Sequence, residues 1–142
     1  MRYLGLDLGT KTLGVSITDK SNTIVRPLSL IKFGFEDYDK ALNEVLKIID
    51  DYEIDKVVLG LPKNMDGSIG FAGERSINFQ KMLIDNNVKV ELEDERMTSM
   101  MAEDIIHANN ENIKNTKNKI DGIAASLILE SYLKRCKNDT GK

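Results

Sequence analysis

The sequence predicts an α/β fold: one domain on a five-stranded mixed sheet, its first three strands antiparallel through hairpins and its later strands parallel. Three observations carry this. Two short β-leaning runs open the chain with three residues between them, and a third run follows. Helical periodicity begins only near residue 37. From there strand-like and helix-like segments alternate, giving the order βββαβαβαα. Strands that hairpin before alternating with helices imply a mixed, helix-covered sheet. Residues 1–136 are expected to form this domain, and 137–142 a short polar tail.

Residues 2–8 and 12–18 are the first two strands, and the intervening Gly9-Thr10-Lys11 reads as a hairpin connection. Residues 23–32 make a third strand, where Pro27 predicts an edge position or an irregularity because it cannot donate to a ladder. Over 37–51 the apolar residues Ala41, Leu42, Val45, Leu46 and Ile49 recur at helical spacing. Lys56–Leu61 is a short apolar run stopped by Pro62, as expected of a buried strand. A loop at 64–68 leads to a helix over 70–86 with Ala72, Phe79 and Leu83 on one face. Residues 88–92 alternate as a strand. Thr98 or Ser99 is placed to cap a helix whose Met101, Ile105 and Ala108 share a face. The Asn- and Lys-rich stretch 109–119 reads as a mobile loop. A last helix is expected from about Lys119, with Ile120, Ile123, Ala124, Leu127 and Ile128 as its buried stripe.

The bulk numbers narrow the function classes. A chain of 142 residues can bury roughly 68–70% of its unfolded surface. One cysteine excludes an internal disulfide and suits a reducing cytoplasm. The N-terminus turns polar too soon for a signal peptide, and no apolar run approaches the roughly 18 residues of a membrane span. The net charge of −3 excludes binding nucleic acid by overall charge alone. Any such attraction must be local or act through metal ions.

Three carboxylates stand where local rules would not choose them. Asp7 interrupts an apolar strand and shares its face with Gly5 and Gly9, which leave room for a close approach. Glu95 follows the strand at 88–92, and open α/β sheets hold ligands beyond the carboxyl ends of their strands. Asp121 falls in the first turn expected for the last helix, where the helix dipole favours an anion. Each has a structural alternative: Asp7 bonding the backbone of the Gly9-Thr10 turn, Glu95 in a solvated charge run, Asp121 as a plain helix-start anion. Brought together, the three would repel one another unless neutralised by hard cations such as Mg²⁺ or Mn²⁺.

Four segments carry a resemblance: Leu4–Gly14 (LGLDLGTKTLG), Val58–Ser68 (VLGLPKNMDGS), Asp94–Thr98 (DERMT) and Ile120–Ala125 (IDGIAA). Together, and in this order along nearly the whole chain, they resemble the YqgF (RuvX) family, which is similar to Holliday-junction resolvases within the ribonuclease H-like superfamily. The resemblance implies a ribonuclease H-like domain with helices on both faces of the sheet. It implies Asp7, Glu95 and Asp121 as catalytic and metal-binding carboxylates, and a cytoplasmic nuclease maturing the 5′ end of pre-16S ribosomal RNA. Branched DNA is the alternative substrate, and a monomer or weak homodimer is expected. One departure is visible: resolvases carry a fourth carboxylate three residues from the last one, whereas Asn118 and Ala124 stand there in this chain.

The mechanism expected from this reading is phosphodiester hydrolysis with two Mg²⁺ or Mn²⁺ ions, Asp7 bridging them and Glu95 and Asp121 completing one each. Lys11, Lys63 and Arg96 are placed by the motifs to touch phosphates, with solvated surface charge as the alternative. Asn64 lies on a loop ending a strand, where function often resides. Lys117 and Lys119 offer a clamp for the nucleic-acid backbone, or simply a basic loop. Two rival classes remain. One is an ATP-binding lobe of the actin–sugar kinase type, suggested by Asp7-Leu-Gly-Thr-Lys11; the other is a non-catalytic module that binds RNA or protein.

Overall fold

The structure is a computed structural model that describes residues 2–64, 66–94 and 113–140, with backbone alone for 113–122 and 137–140. Its elements are β1 (Tyr3–Leu8), β2 (Thr12–Thr18), β3 (Val25–Lys32), α1 (Tyr38–Tyr52), β4 (Lys56–Leu61), α2 (Phe71–Asp85), β5 (Val90–Asp94) and α3 (Ile113–Thr140). The strands form one sheet in the order β3-β2-β1-β4-β5, so β1 is its centre. β1–β2 and β2–β3 are antiparallel, while β1–β4 and β4–β5 are parallel. The mixed sheet expected from the element order is therefore present.

Alternation along the strands gives the sheet two unlike faces. Leu4, Leu6 and Leu8 of β1, Leu13, Val15 and Ile17 of β2, and Val57 and Leu59 of β4 pack with Ala41 and Val45 of α1 and Phe79 and Leu83 of α2. Large, fully buried aliphatic side chains of this kind each contribute about 1.5–3 kcal/mol through removal from water. On the opposite face β1 shows Tyr3, Gly5 and Asp7, and α3 crosses it. There Val58, Ile128, Leu129 and Tyr132 form a second, smaller core. The Ser16 Oγ–H donates to the Ala125 carbonyl at 2.7 Å. A Cβ on Gly5 would overlap Ser16 Oγ and come within 2.9 Å of that carbonyl, so the missing side chain is what lets the helix sit down on β1.

Local chemistry explains the element ends. Asp37 Oδ1 accepts from the Lys40 amide at 3.4 Å and caps α1, and the helix stops at Glu53 in the left-handed conformation. Pro27 lies on the edge strand, and the β2–β3 register shifts beside it, so both features read from that proline are observed.

Some expectations are corrected. The buried face of α2 is Gly73, Ser76, Phe79 and Leu83, rather than the one containing Ala72. A Cβ at Gly73 would stand 2.8 Å from the Pro62 carbonyl, so burial there depends on smallness, which an apolar pattern does not signal. The fifth strand runs Val90–Asp94, two residues later than expected. The last helix begins at Ile113, not near Lys119, so 113–119 is helical rather than a loop and Lys117 and Lys119 lie on α3. Its described buried residues run from Ala125 through Leu129 to Tyr132, while Ile123 and Ala124 are only half-buried. The helix continues to Thr140. The helix expected after Thr98 lies outside the described residues.

Candidate active site

Asp7 sits near the carboxyl end of the central strand, on the α3 face, directly opposite Gly14 of β2. On its other side Leu6 pairs with Leu59, so the next position of β4 is Gly60, and Gly60 pairs in turn with Glu93 of β5. The cross-sheet row thus reads Gly14, Asp7, Gly60, Glu93: a carboxylate flanked by two residues without side chains. Asp7 is half-buried. Among the described residues its carboxylate has no hydrogen bond or ion pair. The Gly9 amide, which a strand-end aspartate could have capped, donates instead to the Thr12 carbonyl at 2.8 Å. The purely structural alternative for Asp7 is therefore not realised.

Glu93 is the carboxylate that the sequence did not single out. It is 6% exposed. Ser131 Oγ–H donates to its Oε2 at 2.8 Å, and Arg135 donates to Oε1 from Nε at 3.1 Å and from Nη2 at 2.7 Å. This hydrogen bond to Glu93 raises the Arg135 guanidinium above its usual value. Charge-assisted, two-pronged pairs are among the stronger polar contacts, and this one clamps α3 to β5. In sequence Glu93 belongs to an acidic run, and its partners lie 38 and 42 residues away. No local signal could have found them.

Of the expected phosphate-contacting residues, Lys11, Lys63 and Asn64 gather at one end of the sheet. Lys11 is exposed in the β1–β2 turn. Lys63 and Asn64 follow β4 after Pro62, and Lys63 Nζ lies 3.9 Å from Asp94 Oδ2. The Asn64 loop is held by its own bonds: Asn64 Nδ2 donates to Ser68 Oγ, and the Ser68 amide donates to Asp66 Oδ1, both at 2.9 Å. β1 and β4 are parallel, so Asp7, Lys63 and Asn64 share the sheet's carboxyl edge.

Glu95 and Arg96 lie outside the described residues. Asp121 is placed only as backbone on α3, eight residues beyond Ile113, so the expected help from a helix N-terminus does not apply there. One helical turn further along, Ala125 rests on Gly5 and Ser16. Among the described residues no three His, Cys, Asp or Glu side chains converge as a metal-binding group. Also among the described residues, no helix is long and apolar enough to cross a membrane.

The donor chemistry at Asp7 fits a divalent cation. A half-buried carboxylate with no partner among the described residues, flanked by residues without side chains, offers a hard oxygen donor.

Comparison with known proteins agrees with this architecture. The family described as "RuvX: Holliday junction resolvase" matches residues 1–135. A Bacillus subtilis protein named as a candidate pre-16S rRNA nuclease is 46% identical over 134 residues, covering 94% of this chain and 97% of its own. Among solved structures, RuvC of T. thermophilus in complex with a Holliday junction substrate superposes with a TM-score of 0.58 at 14% identity, covering 94% of this chain and 96% of that one. The fowlpox virus Holliday junction resolvase gives 0.56 at 21% identity, covering 95% and 99%. These two likenesses fix the ribonuclease H-like fold, and the extent of the family match and of the Bacillus relative fixes the lineage. The chain belongs to the RuvX family.

Proposed function

We propose that this protein is a divalent-metal-dependent nuclease that hydrolyses phosphodiester bonds in precursor 16S ribosomal RNA in the cytoplasm. The observation that carries the proposal is Asp7: a carboxylate on the central strand with no partner among the described residues, flanked by glycines, in a family of nuclease lineage. The names of the close relatives supply the RNA. Glu95 follows the described end of β5 by one residue. Asp121 lies one helical turn, about 6 Å, from the contact of Ala125 with Gly5 and Ser16. Asp7 lies two strand residues, about 7 Å, from the same contact. These placements support the assignment of Asp7, Glu95 and Asp121 as carboxylates of one centre, with Mg²⁺ or Mn²⁺ held chiefly by Asp7.

When bound, such ions supply an activated water and stabilise the leaving oxygen. The chain's own part is to fix the carboxylates and to present cations to the strand being cut. Gly14 and Gly60 place no side chain beside Asp7 where the scissile phosphate would sit. Lys11 and Lys63 lie at the same sheet edge and offer positive charge to the flanking phosphates, while Asn64 offers an amide donor. Arg96, Lys117 and Lys119 extend that role along the strand. Arg135, through Glu93, holds α3 against β5.

The test is cleavage of a labelled precursor 16S RNA fragment by purified protein in Mg²⁺ or Mn²⁺. Wild type cuts, chelation stops it, and Asp7→Asn loses at least about 10²-fold in rate, the scale of removing one principal electrostatic group, with an unchanged circular dichroism spectrum. Wild-type rates from Asp7→Asn would overturn the assignment. A second reading, a four-way DNA junction as substrate, is favoured by the family's description and by the fold. Presenting both substrates to the same preparation decides between them.

A further inference from the structure

Around the sheet edge from Asp7, on the side covered by α1 and α2, lies a cavity of about 350 Å³. Phe35 and Phe71 line it, although they are 65% and 89% exposed. Single exposed apolar residues are ordinary. Two aromatic rings lining one cavity together with a guanidinium, Arg75, are a different matter. We propose that this cavity is a subsite for an unpaired nucleobase of the substrate strand, one bearing an exocyclic amine; the proposal rests on the nuclease reading above.

Position supports it. Thr10, three residues after Asp7, lines the cavity, and its carbonyl accepts from the Glu36 amide at 2.9 Å. Three residues span at most about 10 Å. The first turn of α2 is held at the same edge by the close approach of Gly73 to the Pro62 carbonyl. A single strand leaving the Asp7 centre therefore has to travel one or two nucleotides to reach the cavity.

Chemistry selects the occupant. Phe and Arg offer flat faces on which bases stack whatever their sequence. The cavity also carries two carboxylates, Glu36 and Glu74, against the one guanidinium of Arg75. That balance repels phosphate but accepts hydrogen bonds from the amino group of cytosine, adenine or guanine. Tyr38 lines the same space, and its hydroxyl, shielded from solvent, lies close to the Arg75 guanidinium. A base edge offers amino groups to the carboxylates, whereas an apolar side chain from a protein partner would leave Glu36 and Glu74 uncompensated.

The experiment uses a short single-stranded oligoribonucleotide carrying 2-aminopurine, bound to the full-length Asp7→Asn protein in EDTA so that nothing is cut. Stacking quenches the aminopurine. Truncating Phe71→Ala or Phe35→Ala weakens binding by about tenfold, within the range for one lost aromatic–base stack, and Phe71→Tyr restores it. Both side chains are largely exposed, so the truncations leave the fold undisturbed. An oligonucleotide of cytosine binds more tightly than one of uracil. Equal affinity for the parent and both alanine variants, or binding without quenching, overturns the subsite. The outcome is separable from that of the nuclease reading. Loss of cleavage in Asp7→Asn is scored on precursor RNA, and the aminopurine signal is scored without any turnover.

Discussion

The two faces of the sheet are made by the same strands and are opposite in kind. Toward α1 and α2 the strands present Leu4, Leu6, Leu13, Val15, Ile17 and Leu59, all fully or nearly fully buried. Toward α3 they present Gly5, Asp7, Gly14, Ser16, Gly60 and Glu93. One face is filled with volume along its length, and the other is kept low around Asp7, so that a helix and a carboxylate can approach the backbone. The difference teaches that alternation with a period of two lets a single strand serve stability on one side and chemistry on the other.

Mutations should respect that division. Phe79→Ala, on the filled face, empties the space between α2 and the sheet and is expected to cost about 3–5 kcal/mol, read as a lowered denaturant midpoint. The protein that remains folded should cleave at close to the wild-type rate. Gly5→Ala, on the low face, should cost less, about 1–3 kcal/mol from overpacking, yet lower cleavage more, because α3 and Asp121 must lift away from β1. If Gly5→Ala leaves the rate untouched, the functional contrast between the faces fails.

The smallest effect concerns pH. Hydrogen bonding from Tyr132, with the positive charge of Lys56 close by, holds the Glu91 carboxyl below its ordinary range. A lowered carboxylate contributes stability that is present above its unfolded value and lost as pH falls through its folded one. Glu91→Gln should therefore flatten the acid limb of the stability curve slightly, lowering stability a little at neutral pH and leaving it unchanged near pH 3. Thermal melts from pH 7 down to 3 measure this. An identical acid limb in the variant would remove Glu91 from the account.

Most of the fold was legible where pattern and chemistry agree. Thr12–Thr18 and Lys56–Leu61 were bounded correctly because β-rich runs were cut off by turn residues and by Pro62. Pro27 announced the edge strand. The start of α3 was missed because Asn and Lys composition reads as loop, whereas adding a turn to an existing helix is cheap compared with nucleating one. At the site, Asp7 was legible as a charge inside an apolar strand beside glycines. Glu93 was not, because burial there comes from Arg135, distant in the chain. Phe35 and Phe71 gave no sign either, since nothing in their immediate sequence marks an aromatic side chain as left uncovered.

The outer strand β3 carries a last consequence. A sheet whose margin is open can recruit another chain by pairing backbone groups, the first step toward aggregation. Here Pro27 deletes one donor from that margin, the register shift next to it bends the ladder, and exposed Arg26 and Lys32 bring positive charge to it. Any neighbour attempting to extend the sheet meets a missing amide, a misaligned rung and two cations, so growth in that direction is discouraged at the level of single atoms.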